Sequence, residues 1–222
     1  MNTERQIEYL KNFITEKRFE RFVNVLNQRT RYVTVVLEDV FQGHNAAAVL
    51  RSCDCFGVQD IYCAENRNEF KPNEEVSMGA GQWLNIYRFR EKEKNNTEIC
   101  YQTLREKGYK IVATSPHANA VSIKDLKLDA PIALVFGAEK EGLTEYALNN
   151  ADESVFIPMY GFTESFNISV TVALCLYELI NRLRNSNINY SLSEQEKQEI
   201  LLQWMKNSIK DADRILERLE EK

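Results

Sequence analysis

Short apolar or β-branched runs alternate with helix-like segments through the middle of the chain. Strands are predicted at 32–40, 58–64, 82–89, 110–114, 132–137 and 154–157. Helices are predicted at 45–56, around 95–107, directly after Gly142 and at 168–180. Gly57 and Gly108 are placed to end the first two of these helices. This alternation predicts an α/β fold with a mostly parallel sheet and helices on both faces.

Both ends of the chain are predicted to add helices to this fold. Residues 3–28 carry apolar side chains at three- and four-residue steps, which indicates one amphipathic helix. Near the C-terminus, Ser193 and Glu196 fit a capping box that would begin another helix. No Pro- or Gly-rich linker interrupts the chain, so we expect one compact domain. Its predicted parts are an N-terminal extension (1–31), an α/β domain (32–185) and a C-terminal extension (186–222).

Composition narrows the class of protein. The 222 residues are 44% hydrophobic, which suits an ordinary globular core. No apolar run approaches the roughly 20 residues of a membrane helix, and the first residues lack the apolar segment of a secretory signal. We therefore expect a cytoplasmic protein. The five cysteines form no CxxC pair, which favours reduced, mostly buried thiols over a disulfide framework or a zinc site.

The net charge of −5 is unevenly distributed along the chain. Residues 1–31 hold seven Lys or Arg and four Glu, whereas residues 32–179 are acidic. An acidic body with a mildly basic N-terminal segment permits RNA binding without demonstrating it. The candidate phosphate contacts in that segment are Lys11, Lys17, Arg18, Arg21, Arg29 and Arg31.

Polar residues gather where three predicted strands end. The first strand is followed by FQGHNAAAVLRS, which contains Asn45 and Arg51. The fifth is followed by GAEKEGL, in which Gly137 and Gly142 bracket Glu139. The sixth leads into PMYGFTESFN and then an almost wholly apolar helix. Because ligands bind beyond the carboxyl ends of parallel strands, these three segments are predicted to form one site.

Each of these residues also has a purely structural interpretation. Asn45 could cap a helix, and Ser165 could cap the last one. Arg51 could be a solvated surface residue, and GAEKEG could be a plain turn. The glycine patterns of dinucleotide and phosphate loops are missing. The only histidines, His44 and His117, are far apart in sequence, which argues against histidine as a catalytic base.

The three segments resemble, in order, the motifs of the SpoU/TrmH family of RNA 2′-O-ribose methyltransferases, part of the SPOUT superfamily. The matching stretches are HNAAAVLRSCDCFGV (44–58), ALVFGAEKEGLTEYALNNAD (133–152) and IPMYGFTESFNISVTVALCLYEL (157–179). The resemblance spans about residues 30–180. It is strongest to the branch that methylates guanosine-18 of tRNA.

This resemblance implies S-adenosyl-L-methionine as the cofactor, tRNA as the substrate, a homodimer, no metal, and a deep trefoil knot near the C-terminal part of the domain. It implies that cofactor contacts are made by Thr114, Gly137, Ile157, Met159 and Phe166. The implied catalytic residues are Asn45, Arg51, Glu139, Ser165 and Asn167. The family places the helix of the third motif in the dimer interface. A helix as evenly apolar as 168–180 fits that role because its side chains cannot all face one core.

Several alternatives stay open at this stage. Glu164, an acid, stands beside Ser165 in a segment that should approach RNA, so another tRNA position or an rRNA ribose remains open as the target. An RNA-binding paralogue without activity and a nucleotide-cofactor oxidoreductase are answers of other classes. The intact polar set argues against the first, and the missing glycine fingerprint argues against the second. Arginine is normally protonated in proteins, so we expect Arg51 to grip an RNA phosphate rather than act as a base.

Overall fold

The computed structural model describes residues 2–115 and 120–220, so His117 lies outside the described residues. Contacts divide the chain into two compact units, Arg31–Tyr190 and a terminal unit made of Met1–Thr30 with Ser191–Lys222. The prediction of one compact domain was therefore wrong. The terminal helices form their own unit because their apolar residues pack on one another; Phe22 and Trp204, for example, make an edge-to-face ring contact.

The described residues form helices and strands with the following bounds. The α-helices are α1 (Thr3–Leu10), α2 (Glu16–Leu26), α3 (Gly43–Phe56), α4 (Glu74–Ser77), α5 (Asn96–Glu106), α6 (Glu145–Asn149), α7 (Ile168–Arg184), α8 (Glu194–Ser208) and α9 (Ala212–Glu220). The strands are β1 (Val33–Glu38), β2 (Asp60–Ala64), β3 (Asn85–Phe89), β4 (Lys110–Thr114), β5 (Val121–Ser122), β6 (Ile132–Phe136) and β7 (Glu153–Phe156).

The strands of the Arg31–Tyr190 unit form one sheet in the order β3-β2-β1-β6-β4-β7-β5. All of the pairings between these strands are parallel. The predicted parallel α/β fold is thus confirmed, and all six predicted strands are present. β5 was not predicted, because a strand of two residues leaves no periodic pattern in the sequence.

Helices cover both faces of this sheet. Val35 and Leu37 of β1 belong to the core that α3 and α7 share, whereas Val36 belongs to the core on α5. Neighbouring strand residues point to opposite faces, which accounts for this division. Gly57 ends α3 in the left-handed conformation, with φ of 78°, as its place in the sequence predicted.

The terminal unit differs from the helices predicted at the two ends of the chain. The helix expected over 3–28 is interrupted, because Thr15 is extended and its side chain accepts a hydrogen bond from the backbone N–H of Arg18, which begins α2. The predicted capping box of Ser193 and Glu196 is present at the start of α8. The C-terminal segment then breaks near Asp211, whose φ is 58°, before α9.

Two of the candidate phosphate-binding residues have structural roles instead. Arg29 is 2% exposed and lies over the ring of Trp204. Arg31 forms an ion pair with the buried Asp60 at 3.0 Å. Both arginines are therefore used within their own units, because each has a buried partner for its charge or its apolar surface. Lys17 and Arg21 are exposed.

Two further expectations concern the whole chain. The five cysteines are free thiols, and all except Cys55 are buried. Among the residues whose structure is described, none of the helices has the length and apolar character needed to span a membrane.

Candidate functional site

A cavity of about 540 Å³ lies at the carboxyl ends of β4, β6 and β7, beside the start of α3. This volume falls within the roughly 300–1,000 Å³ of small-molecule sites. β1, β6, β4 and β7 are neighbours in the sheet, so the segments that follow them reach the same edge. The prediction that the three polar segments meet at this edge is confirmed.

The cavity wall contains every candidate residue except Arg51. The lining candidates are Asn45, Thr114, Gly137, Glu139, Ile157, Met159, Ser165, Phe166 and Asn167. Arg51 lies further along α3, is exposed, and forms no hydrogen bond or ion pair with any described residue. Nine of the ten candidates therefore line the cavity, and Arg51 lies outside its wall.

A chain of hydrogen bonds connects the three segments. The backbone N–H of Ser169 donates to Oδ1 of Asn167 at 2.9 Å. Nδ2 of Asn167 donates to Oδ1 of Asn45 at 3.1 Å, and Nδ2 of Asn45 donates to Oε1 of Glu139 at 2.9 Å. A backbone N–H can only donate and a carboxylate can only accept, so the two ends of the chain fix the orientation of both amides.

Glu139 is the acceptor on which this chain ends. It also accepts hydrogen bonds from the backbone N–H groups of Phe41, at 3.3 Å, and Gln42, at 3.2 Å. Partial burial raises the pKa of Glu139, but the hydrogen bonds from Asn45 and from these backbone groups outweigh burial and hold the pKa below its ordinary value. Glu139 is therefore an ionised anchor between the ends of β1 and β6.

The structure rules out two of the structural interpretations. Gln42, not Asn45, is the N-cap residue of α3, and Asn45 is buried within the first turn. Asn167, not Ser165, caps α7. Both capping interpretations were wrong, because the helices begin at other residues. Ser165 lines the cavity and makes no hydrogen bond with a described residue.

The loop of residues 138–142 depends on two glycines. Ala138 and Gly142 exchange two backbone hydrogen bonds, at 3.1 and 2.9 Å. A Cβ on Gly137 would lie 2.2 Å from the carbonyl carbon of Gly142. Gly142 itself has φ of 69°, which favours glycine. The segment is therefore a tight hairpin that only these glycines allow, rather than a plain turn.

The remaining walls of the cavity suit a mixed apolar and cationic ligand. Ile157, Met159 and Phe166 supply apolar surface. Thr114 uses its hydroxyl to donate to the carbonyl of Val135, at 2.8 Å, so that hydroxyl serves the sheet. The ionisable side chains of the lining loops are predominantly carboxylates; they are Glu139, Lys140, Glu141 and Glu164. A ligand that carries both apolar surface and a positive charge fits these residues.

Sequence reasoning missed several lining residues. Ser115 directly follows β4 and could have been found by the rule that ligands bind at strand ends. Gln42 accepts a hydrogen bond from Asn45 at 3.1 Å. No pattern in the sequence around Gln42 indicates this contact. Thr171 lies on α7, where it looked like one polar residue in an apolar helix. Within the described ranges, no group of three or more His, Cys, Asp or Glu converges so as to hold a metal ion.

The chain is similar to known proteins in sequence and in fold. The sequence profile of the SpoU rRNA Methylase family matches residues 32–177. The tRNA (guanosine(18)-2'-O)-methyltransferase of Borreliella burgdorferi is 39% identical over 207 residues, which are 93% of each protein. The crystal structure of the A. aeolicus TrmH/SpoU tRNA modifying enzyme is similar with a TM-score of 0.77 and 31% identity, over 87% of this chain and 97% of that one.

A third similarity concerns the fold alone. The AdoMet-bound rRNA methyltransferase from Sinorhizobium meliloti is 22% identical and has a TM-score of 0.61, over 71% of this chain and 59% of that one.

The family profile covers well over half of the chain, and the Borreliella relative covers nearly all of it. The resemblance that the three motifs indicated is thereby confirmed, and the chain belongs to the SpoU rRNA Methylase family.

Proposed function

We propose that this chain transfers a methyl group from S-adenosyl-L-methionine to a ribose 2′-oxygen of tRNA, at guanosine-18 in the D-loop. The observation that carries the proposal is the hydrogen-bonded chain of Asn167, Asn45 and Glu139 at a cavity of cofactor size. The name of the Borreliella relative supports the choice of tRNA and of the nucleotide. We expect the reaction to take place in the cytoplasm.

The cavity residues would bind the cofactor and orient its reactive group. When bound, S-adenosyl-L-methionine supplies a methyl group made electrophilic by its sulfonium. Ile157, Met159 and Phe166 would contact the adenine and exclude water, while backbone groups beside Gly137 and Thr114 would meet its polar edge. Glu139 keeps the 138–142 loop against α3 through its hydrogen bonds to Asn45 and the backbone.

The acceptor side would be built around Arg51. Arg51 would bind the phosphate next to the target ribose with its planar guanidinium, which matches phosphate oxygens in two places. Asn45, Ser165 and Asn167 would hold the sugar in line with the methyl group. Such alignment can contribute on the order of 7–11 kcal/mol. The 2′-hydroxyl proton would pass to the phosphate or to water, because a guanidinium has no free lone pair to accept it.

We also propose the knot that the family resemblance implies. β7 pairs with β4 on one side and with β5 on the other, although β4 and β5 follow each other in the chain. A strand added late between two earlier neighbours supports a path in which the segment after β7 passes through an earlier loop. Such threading is rare in other folds.

We propose that residues 32–185 form the knotted catalytic domain. The terminal unit would contact tRNA outside the catalytic site. Lys17 and Arg21 lie one turn apart on α2, are exposed, and have no partner among the described residues. Lys11 pairs with Glu8, so its charge is partly neutralised. Contacts of this kind supply affinity that falls as salt rises.

A homodimer is the proposed assembly. Val170, Leu174 and Tyr177 form one stripe of α7, and they are 44%, 39% and 60% exposed. Val172 and Leu176 of the same helix are fully buried, so the helix is apolar on its core face and on a solvent face. A contiguous apolar face on a soluble protein is characteristic of an interface.

The dimer predicts a mass of twice 25.8 kDa in light scattering. Leu174→Asp should give a folded monomer, because it places a charge in the exposed stripe without disturbing the core. Val25→Asp is the matched control: Val25 is 38% exposed, lies in α2, and should leave the dimer intact. A wild-type monomer at micromolar concentration would remove this proposal.

The catalytic proposal predicts that, in a total tRNA preparation, methylation occurs at a single nucleotide position. Incubation with tritiated S-adenosyl-L-methionine, followed by mass spectrometry of digested tRNA, should locate 2′-O-methylguanosine in the D-loop. Calorimetry should detect cofactor binding without added metal. The product should be absent when the tRNA already carries the methyl group, which provides the control.

Other outcomes separate the remaining alternatives. Methylation found only in rRNA or at the anticodon would contradict the assigned target while leaving the reaction type intact. Absence of cofactor binding at millimolar concentration would contradict the enzyme proposal and favour an RNA-binding paralogue.

A further inference from the structure

The 138–142 loop has an anchor on the side opposite to Glu139. Nη1 of Arg67 lies 2.5 Å from Oε2 of Glu141. Glu141 lines the cavity, whereas Arg67, in the segment after β2, does not. The loop is therefore attached through Glu139 to the end of β1 and the start of α3, and through Glu141 to the segment after β2.

Asp39 holds Arg67 in place. Oδ1 of Asp39 accepts hydrogen bonds from the backbone N–H groups of Asn66, Arg67 and Asn68, at 2.8, 2.8 and 3.2 Å. Nε of Arg67 lies 3.4 Å from Oδ2 of the same carboxylate. Asp39 therefore holds both the backbone N–H and the guanidinium of Arg67, and the same guanidinium pairs with Glu141.

The backbone of Asp39 shows that this arrangement is strongly determined. Asp39 is 2% exposed and has φ of 53°, a left-handed conformation that costs free energy for a residue other than glycine. Such a conformation persists where the surrounding contacts require it, and it is often found beside functional sites. The carboxylate of Asp39 contributes such contacts through the three backbone N–H groups of residues 66–68.

We propose that Arg67 is a positioning residue for the cofactor: by pairing with Glu141 it holds the 138–142 loop in the conformation that receives S-adenosyl-L-methionine. The inference rests on the proposed function. Gly137 and Gly142 fix the base of the loop, and Glu139 and Glu141 fix its two sides. A loop held in its binding conformation loses less entropy when the ligand arrives, so the ion pair lowers the dissociation constant.

Loss of the ion pair between Arg67 and Glu141 should weaken cofactor binding and leave the rate of the chemical step unchanged. The chain of Asn167, Asn45 and Glu139 has its own anchors and does not involve Arg67. Loss of an interaction that acts equally in the ground state and the transition state raises KM and leaves kcat unchanged. The ion pair is also half-exposed, with side chains 52% and 63% accessible, so salt should weaken it.

Calorimetry with S-adenosyl-L-methionine tests the proposal. Arg67→Ala should weaken binding about threefold to fivefold, the most that an exposed ion pair usually contributes. KM for the cofactor should rise by the same factor with kcat unchanged. Glu141→Gln should weaken binding at least as much, because Glu141 also lines the cavity, and the double variant should lose no more than Glu141→Gln alone. In wild type the affinity should fall with salt toward the value of Arg67→Ala.

Lys71→Ala is the matched control. Lys71 lies in the same segment and forms an exposed ion pair with Glu69 at 2.6 Å, which does not involve the 138–142 loop. Its removal should leave cofactor affinity unchanged. If wild type binds the cofactor and Arg67→Ala binds it equally well, the inference is overturned while the proposed function stands. Additive losses in the double variant would also overturn it. A wild type that binds no cofactor would overturn the proposed function itself.

Discussion

Arg51→Ala should lose nearly all methyl transfer to tRNA while binding S-adenosyl-L-methionine as well as wild type does. Arg51 is exposed, lies outside the cavity wall and has no partner among the described residues, so its removal leaves the cofactor side untouched. Loss of alignment of the acceptor should reduce kcat by about 100-fold or more. Single-turnover assays with tritiated cofactor and calorimetry on the same preparation measure both quantities.

Two further variants test whether the guanidinium of Arg51 is specifically required. Arg51→Lys should also fail, because one ammonium cannot reproduce the planar two-pointed contact of a guanidinium with phosphate. Arg90→Ala removes the same charge from an exposed arginine that has no partner among the described residues and does not line the cavity, and this variant should stay active. A wild-type rate for Arg51→Ala would show that the proposed acceptor geometry is wrong, even with the family assignment intact.

Asn45 and Arg51 illustrate how one helix would serve both halves of the reaction. Asn45 is buried in the first turn of α3 and is committed to Glu139 and Asn167. Arg51 lies further along the same helix and is free to meet a ligand from solvent. Because α3 packs on α7 in the sheet core, the spacing between the two roles is fixed by a rigid element rather than by a loop.

The sheet and the place of the site could be predicted because both depend on local patterns. Apolar runs such as 132–137 are typical of strands buried on both faces, and polar residues at strand ends indicate where a ligand can bind. Asn45, Glu139 and Asn167 were found from their positions in three such segments. Their resemblance to known motifs then gave each one an expected role.

The contacts between these residues could not be predicted from local patterns. Asn45 and Asn167 are 122 residues apart in sequence, and their hydrogen bond exists only because β1 and β7 are brought to the same edge of the sheet. The ion pair of Arg67 with Glu141 has the same origin. The break at Thr15 was missed because the apolar period continues across it, while one side-chain cap decides that a new helix begins.

Gly137→Ala should abolish cofactor binding. A Cβ at this position would lie 2.2 Å from the backbone of Gly142, and backbone atoms cannot move aside as a flexible side chain can. The hairpin would have to open at the two hydrogen bonds between Ala138 and Gly142. Overpacking against side chains that can adjust typically costs about 1–3 kcal/mol and occasionally more; here the obstruction is backbone, so the loop that forms a wall of the cavity must leave its conformation. Calorimetry should then detect no binding at millimolar S-adenosyl-L-methionine.

Gly161→Ala is the matched control for this prediction. Gly161 lies in the exposed loop after β7, and a Cβ there would meet no atom within 4 Å. This variant should bind the cofactor like wild type, so a difference between the two variants reports the space at Gly137 rather than a general effect of removing glycine. Thermal unfolding distinguishes a local change from a global one. We expect Gly137→Ala to have a lower Tm but to retain the far-ultraviolet circular dichroism spectrum of the folded protein.

If Gly137→Ala bound the cofactor with wild-type affinity, the 138–142 hairpin would not be a wall of the cofactor site. A cavity that depends on the close approach of Gly137 to Gly142 cannot survive its loss.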